Sequence, residues 1–399
     1  MAQFDTPDQI SLPDLEEDVL DWWQDHDIFE RSIEEREGQP TFTFYEGPPT
    51  ANGTPGIHHV LARAIKDIFC RYKTMQGYQV ARKAGWDTHG LPVEIEVEEE
   101  LDLQSRAQVE EYGIEKYNAA CRESVLEYKD LWDTLTQRMG YWVDLDNPYV
   151  TFETDYIESV WWLLKQIEEK DLLYRGHKIQ WYSPGSHTVL SSHEVSLGYE
   201  ETQDPSVYVR FPVADEENTS FLAWTTTPWT LISNTALAVG PNLTYVKIHH
   251  EDPHRGTEKL ILAEALLDEV IDEDYAVEET FSGEELIGTE YEPLFDYFAD
   301  RATPGEDAWY VLGADVVSTE EGTGVVHMAP AFGEEDYAVA QDEGLPLFNP
   351  IDKDGEFTEE APLVEGLWFK DADTAITDDL KRRGRLYKHE TYLHNYPHD

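Results

Sequence analysis

Residues 44–59 combine an apolar start, a turn rich in glycine and proline, and two histidines at the beginning of a helix-forming run. Unpaired backbone N–H groups and the positive end of the helix dipole converge at such a helix start, which suits a phosphate group. The imidazoles of His58 and His59 can add hydrogen-bond donors to a nucleotide held there. A strand, a tight turn and a helix in this order predict a nucleotide-binding enzyme.

The elements around this turn predict a βαβ unit. Apolar residues at spacings of three and four from Val60 onward predict an amphipathic helix that ends at Gly77, and the run 78–81 is typical of a strand. A ligand is expected at the carboxyl ends of the two strands. A second polar loop, residues 85–94, contains Asp87 between glycines, and we expect both loops to face one crevice.

The pattern changes at about residue 197 to short runs typical of strands, separated by Gly, Pro and Asn. These runs are 206–213, 220–224, 236–239, 245–248 and 324–327. They predict a second domain of mainly β character, inserted into the first.

Two polar motifs lie in this second domain. The first contains three consecutive threonines and a nearby asparagine: Thr225, Thr226, Thr227 and Asn234. The second is a strand that ends in His327 and leads through a glycine-bounded loop to Asp336. A threonine run alone is explained by β-propensity, and acidic residues are common in this chain, so spacing alone does not establish a pocket.

Length and composition limit the class of protein. The chain has 399 residues, 40% of them hydrophobic, with room for two or three domains, and this excludes a disordered protein. No apolar stretch approaches 18 residues and no signal pattern is present, which predicts a soluble, cytoplasmic protein. Cys70 and Cys121 lie far apart, outside any Cys-x-x-Cys pair, so neither a disulfide framework nor a thiolate zinc site is indicated.

The block 46–53, the histidine-containing loop and the run Gly85-Trp86-Asp87-Thr88-His89-Gly90-Leu91-Pro92 resemble the isoleucyl-tRNA synthetase family, within the class I aminoacyl-tRNA synthetases. The resemblance covers residues 10 to 399. It implies an α/β fold: the first half of a Rossmann-type catalytic domain with an inserted, mainly β editing domain. One departure is local, because the usual His-x-Gly-His signature is here Gly56-Ile57-His58-His59.

The resemblance also implies the roles of residues in the catalytic domain. Gly47 and Pro48 would flank the isoleucine, and Asp87 would bind its α-ammonium group. Gly56, His58 and His59 would bind ATP, which acts with Mg²⁺, and the two histidines would be catalytic. The isoleucine carboxylate would attack the α-phosphate of ATP, and hydrogen-bond donors and the positioning of the two substrates would provide most of the rate acceleration.

In the inserted domain the resemblance implies an editing pocket for valyl-tRNA(Ile). A hydrophobic pocket poorly distinguishes valine from isoleucine, which differ by one methylene, so a second pocket would hydrolyse the wrong product. Asp336 would bind the free α-ammonium group and His327 would shape the amino-acid pocket. The remaining lining residues would be Thr225, Thr226, Thr227 and Asn234.

The expected domains are a helical lead-in at 1–40, the catalytic part at 41–196, the editing domain at 197–395 and the start of the return at 396–399. Ser183 and Ser186 occupy positions where relatives often carry a Cys-x-x-Cys pair, so no structural zinc is predicted. His187 and His193 are a weak metal pattern without a carboxylate. No Lys-Met-Ser-Lys-Ser loop occurs, so we expect an N-terminal portion that is inactive in aminoacylation by itself.

The expected partners are tRNA(Ile), isoleucine and ATP, with no membrane, and the expected state is a monomer. The net charge is −54, from 83 acidic and 29 basic residues, whereas tRNA binding ordinarily needs a basic field. Molar salt would screen this charge, so we expect a halophilic cytoplasm. Two alternatives remain: a free-standing editing hydrolase of mischarged tRNA, and an inactive binding module derived from a synthetase.

Overall fold

The computed structural model describes residues 11–252, 255–272 and 274–398, apart from the side chains of His193 and Leu197. The chain divides into two compact units, Met1–Arg175 and Gly176–Asp399. This division lies before residue 197, where the sequence predicts the start of the editing domain.

The first unit has helices around a parallel sheet with the strand order β1-β2-β3. Helix α3 crosses between β1 and β2, as a βαβ unit requires. The elements are α1 (Leu12–Asp25), α2 (Ile28–Glu34), β1 (Phe44–Tyr45), α3 (Ile57–Met75), β2 (Arg82–Trp86), α4 (Leu91–Leu101), α5 (Arg106–Tyr112), α6 (Ile114–Ser124), α7 (Lys129–Arg138), β3 (Asp144–Val150) and α8 (Thr154–Glu168).

The second strand lies later in the sequence than the run 78–81 that hydropathy favours. Strand β2 begins at Arg82, whose buried guanidinium donates to Thr74 Oγ1 at 2.9 Å and lies 3.6 Å from Asp67 Oδ1. Two successive basic residues are atypical of a central strand. Polar contacts to α3 therefore stabilise a strand that apolar alternation does not predict.

Helix α3 turns its charged face toward the sheet. Arg63 is only 6% exposed, and Lys66 forms an ion pair with the buried Glu46. By contrast, the apolar side chains of Leu61 and Ile68 are 65% and 64% exposed. An apolar face of this kind is typical of a surface that contacts further protein.

The second unit is mainly β, as predicted. Its elements are β4 (Tyr182–Ser183), β5 (Thr188–Val189), α9 (Ser192–Leu197), β6 (Tyr199–Pro212), β7 (Thr219–Thr225), a 3₁₀ helix (Pro228–Ser233), β8 (Ala236–Val239), β9 (Thr244–Asp252), β10 (Gly256–Ala263), a second 3₁₀ helix (Glu264–Leu266), α10 (Leu267–Val270), β11 (Tyr275–Ser282), α11 (Gly283–Leu286), β12 (Val311–Gly313), β13 (Val325–Met328), α12 (Glu334–Glu343), α13 (Phe369–Arg382) and β14 (Leu386–Pro397).

A nine-stranded sheet forms the centre of this unit, in the order β11-β9-β10-β7-β13-β8-β12, with β6 joining β7 to β14. All five predicted strand runs fall on strands β6, β7, β8, β9 and β13. All four residues of β8 are fully buried, which places this strand in the core. Within the described part of the chain, no helix is both long and apolar enough to span a membrane.

Candidate functional sites

The two loops predicted to share a crevice leave the same edge of the first sheet. Strands β1 and β2 are parallel, and the Glu46 N–H donates to the Lys83 carbonyl at 3.0 Å. Further along, the Asp87 N–H donates to the Pro49 carbonyl at 3.0 Å, and Thr50 pairs with Asp87. The structure thus brings the loop of Gly47 and Pro48 beside Asp87, and their substrate-binding roles remain predictions.

Asp87 retains a carboxylate oxygen that can bind a cation. Its Oδ1 accepts from the His89 N–H at 3.4 Å, and Oδ2 has no hydrogen-bond partner among the residues that the structure describes. Thr151, which follows β3, bonds His89 Nδ1 at 3.0 Å and Thr88 Oγ1 at 2.7 Å. The loops after β2 and β3 are therefore tied together beside the free carboxylate oxygen.

The start of α3 fixes the protonation of His59. The Gly56 N–H donates to His59 Nδ1 at 2.9 Å, so the neutral ring carries its proton on Nε2 and can donate it to a ligand. Burial lowers the pKa of His59, and the charges of His58 and Arg63 lower it further. A Cβ at Gly56 would lie 2.8 Å from His58 Cε1, so a larger residue there would displace the His58 ring.

Sequence reasoning missed Trp132, a buried residue of α7. Its ring centroid is 4.6 Å from that of His59, and the Arg63 guanidinium lies 4.7 Å from its ring. Its Nε1 donates to the Gly53 carbonyl at 2.8 Å, and its ring also packs on Trp86, the residue before Asp87. Trp132 thus links the histidine turn to the second loop through contacts that span about 46 to 79 positions, which no local pattern signals.

Glu46 was also missed, although it begins the motif of the first loop. Its side chain is 4% exposed and bonds both Lys66 Nζ and the Tyr141 hydroxyl. Burying a carboxylate is costly unless such partners compensate for the lost hydration. Glu46 therefore holds the end of β1 against α3 and the segment before β3, next to the predicted isoleucine-binding residues.

In the second unit, one pocket of about 280 Å³ brings together several predicted editing residues. Thr225, Thr226 and His327 line it, at the ends of β7 and β13. The Thr226 hydroxyl has no hydrogen-bond partner among the described residues, so it is available to a ligand. The pocket lining also includes Glu321 and Trp224, which the sequence analysis did not predict.

His327 is neutral, and both of its ring nitrogens are hydrogen-bonded. Asn234 Nδ2 donates to its Nδ1 at 3.0 Å, so Nε2 carries the proton and donates to Thr230 Oγ1 at 2.9 Å. Thr230 in turn donates to the Thr227 carbonyl at 2.8 Å. Burial lowers the pKa of His327 to about 4. With both ring nitrogens occupied, His327 shapes the pocket and has no free lone pair to accept a proton from water.

Asn234 and Thr227 lie behind the pocket surface. Asn234 is 4% exposed, and its Oδ1 accepts from the Tyr291 hydroxyl at 2.7 Å while its Nδ2 holds His327. The Thr227 N–H donates to Thr225 Oγ1 at 3.2 Å. These two residues position the lining side chains rather than line the pocket.

Asp336 lies on the first turn of α12 and is tied to the end of β13. Its Oδ2 accepts from the Ala329 N–H at 2.8 Å, two residues beyond His327. Burial raises the pKa of this carboxyl group. Asp336 is not among the residues that line the 280 Å³ pocket, so its predicted contact with an α-ammonium group remains a prediction.

The positions considered for metal ligands have other partners. Ser183 is buried and its Oγ accepts from the Ser186 N–H at 2.9 Å, and His187 Nε2 lies 2.8 Å from Asp354 Oδ1. The side chain of His193 lies outside the described residues. His250, Asp252 and Glu258 form a cluster of potential ligands, but the Arg210 guanidinium bonds both carboxylates at 2.7 Å. The Arg210 guanidinium therefore balances the charge of both carboxylates.

Comparison with known proteins places the chain in a family. Residues 18–383 match the family described as tRNA synthetases class I (I, L, M and V). The chain belongs to this class I tRNA synthetase family, and the predicted α/β fold class is confirmed.

The chain is similar to isoleucine–tRNA ligases, as the sequence predicted. It is 50% identical to that of Streptomyces avermitilis over 396 residues, which are 98% of this chain and 37% of that protein. Identity to the enzyme of Thermus thermophilus is 50%, over 97% of this chain and 36% of that protein. Identity to the isoleucine–tRNA ligase of Clostridium novyi is 48%, over 96% of this chain and 36% of that protein. The chain therefore spans just over a third of the length of these relatives.

A solved structure titled "The crystal structure of GlLeuRS-CP1" overlaps 46% of this chain and 98% of its own, with 15% identity and a TM-score of 0.36. A similarity this low carries no argument.

Proposed function

We propose that this protein acts in the ligation of isoleucine to tRNA(Ile) with ATP, and that its second unit hydrolyses valyl-tRNA(Ile). The observation that carries the editing proposal is the pocket in which the free Thr226 hydroxyl lies beside Thr225 and a neutral His327. The similarity to isoleucine–tRNA ligases supports the proposed ligation of isoleucine to tRNA(Ile).

At the first site, the roles follow from the atoms that are free. The Asp87 carboxylate binds the α-ammonium of isoleucine, which lies against Gly47 and Pro48. His59 donates from Nε2 to the phosphates of ATP, beside the N–H groups at the start of α3. Gly56 contributes by donating its own N–H to His59 Nδ1, which holds the ring in place. His58 adds a second imidazole donor there. Mg²⁺ accompanies ATP as part of the substrate and supplies charge neutralisation on the phosphates.

At the second site, a water molecule attacks the ester carbonyl and the terminal ribose hydroxyl leaves. The hydroxyls of Thr225 and Thr226 orient the water and the ester, whereas His327 holds the wall of the pocket. Both nitrogens of His327 are hydrogen-bonded, so this ring does not accept the proton of the attacking water; the leaving ribose oxygen gains a proton as the ester bond breaks. Asp336 binds the α-ammonium and keeps the end of β13 in place.

Replacing Asp336 by alanine is expected to abolish the hydrolysis of valyl-tRNA(Ile) by the 399-residue chain in molar KCl. Loss of a half-buried, hydrogen-bonded carboxylate that binds a cationic group costs about 2–5 kcal/mol, which is about 30-fold or more in rate. The matched control is Glu335→Ala, which removes the same charge from the neighbouring exposed position. Unchanged hydrolysis by the Asp336 variant, or none by a folded wild-type chain, contradicts the proposal.

A hydrolase that clears mischarged tRNA without ligating amino acids is a second candidate. It is favoured by the fact that every residue lining the editing pocket belongs to the second unit. Isoleucine-dependent ATP–pyrophosphate exchange separates the two candidates when it is measured on the full-length protein that the gene encodes, because the 399-residue chain by itself is expected to be inactive in aminoacylation and only a ligase forms an aminoacyl-adenylate.

A further inference from the structure

Glu321 is the carboxylate among the residues that line the editing pocket. The other polar side chains there belong to Thr225, Thr226, Ser318, Thr323 and His327, all neutral. An aminoacyl ester carries one cationic group, its α-ammonium, and the strongest complement for that group is an anionic oxygen. The charge pattern of the pocket therefore singles out Glu321.

Two glycines after Glu321 fix its position in the backbone. Gly322 and Gly324 have φ values of +80° and +69°, which favour glycine. A Cβ at Gly322 would lie 3.0 Å from Trp224 Cε3, and one at Gly324 would lie 2.4 Å from Ala263 Cβ. The segment therefore lies close against Trp224 and β10, and Glu321 is presented from a constrained turn.

Tyr392 orients the carboxylate. Its hydroxyl donates to Glu321 Oε2 at 3.1 Å, and its ring packs edge-on against Trp224, with centroids 5.5 Å apart. Oε1 of Glu321 has no hydrogen-bond partner among the described residues. One carboxylate oxygen is therefore held from β14 while the other remains available to a ligand.

We propose that Glu321, oriented by Tyr392, binds the α-ammonium group of the aminoacyl ester in the editing pocket. It supplies a carboxylate in addition to the one that the resemblance assigns to Asp336. This proposal rests on the editing function proposed above and adds a specificity-determining residue to it: the pocket selects esters of α-amino acids over esters without the amino group.

The test compares two esters of the same tRNA(Ile), one with valine and one with 2-hydroxy-3-methylbutyric acid, which lacks the ammonium group. In molar KCl, Glu321→Gln is expected to lower kcat/KM for the valyl ester about two- to fivefold, mainly through KM, as for an exposed ion pair. Hydrolysis of the hydroxy ester should not change. The control is Glu320→Gln, an exposed neighbour outside the pocket lining, which should match the wild type on both esters.

Tyr392→Phe is expected to produce a smaller loss of the same kind, confined to the valyl ester. The proposal is overturned if Glu321→Gln matches the wild type on both esters, or slows both equally. If the folded wild-type chain hydrolyses neither ester, the proposed editing function fails and this inference fails with it. If the wild type hydrolyses the valyl ester but Glu321→Gln causes no loss that is specific to that ester, only the inference about Glu321 fails and the proposed editing function stands.

Discussion

Replacing Asp373 by asparagine is expected to stabilise the protein, by an amount that grows as the pH rises from about 4 to 7. Asp373 lies on α13 and is 7% exposed, and its Oδ1 accepts from the Trp229 N–H at 2.8 Å. Burial raises the pKa of this carboxyl to about 7; the Trp229 N–H and Lys370 lower it and Asp204 raises it. Asparagine keeps the acceptor oxygen and has no charge to bury.

The direction follows from the proton balance. The unfolded chain ionises Asp373 near 3.8, whereas the folded protein keeps it protonated up to about 7. Between these values folding takes up a proton, so the wild type loses stability as the pH rises through this window and then levels off. At about 1.4 kcal/mol per pKa unit, the full difference is at most about 4 kcal/mol.

Urea unfolding followed by circular dichroism at pH 4, 5.5, 7 and 8, in molar KCl, measures this difference. The control is Asp371→Asn, an exposed position on the same helix, which should show no such trend. A difference that does not depend on pH, or destabilisation by asparagine at pH 8, contradicts a buried and protonated Asp373.

The second large effect is expected from salt. With a net charge of −54, self-repulsion opposes the compact state, and exposed carboxylates such as Glu100 and Glu127 lie within 4.8 Å of Glu96. The screening length falls from about 10 Å at 0.1 M to about 3 Å at 1 M salt. Raising KCl from 0.1 to 2 M should therefore increase the free energy of unfolding by several kcal/mol and Tm by about 10 °C or more.

Thermal melts monitored by circular dichroism test this prediction. A chain that unfolds in dilute buffer should also refold when molar KCl is restored. Sucrose in place of KCl is the control, because it does not screen charge. Full stability in dilute buffer, or equal stabilisation by sucrose, would show that charge repulsion does not govern the fold and would remove the basis for a halophilic setting.

The sequence predicted most of what local patterns encode. The strands of the second unit follow from runs bounded by Gly, Pro and Asn, and the end of α3 follows from Gly77. These features depend on residues close together in the chain. The grouping of Thr225, Thr226 and His327 in one pocket was implied only by the family resemblance, because spacing alone does not establish a pocket.

Contacts between distant residues account for what the sequence did not predict. Strand β2 begins at the buried Arg82 because Asp67 and Thr74 on α3 supply partners for its guanidinium. A hydropathy pattern contains no information about these partners and shows only two consecutive basic residues. Trp132 and Glu46 reach the first site through packing and ion pairs across the fold. Likewise, the pattern of α3 predicts an apolar face but not that its charged face meets the sheet.

The most direct test of the proposed editing role compares the rates at which the 399-residue chain hydrolyses valyl-tRNA(Ile) and isoleucyl-tRNA(Ile) in molar KCl. A pocket that admits the smaller side chain and excludes the extra methylene should hydrolyse the valyl ester at least about tenfold faster. Equal rates for the two esters, both dependent on Asp336, would contradict an editing role.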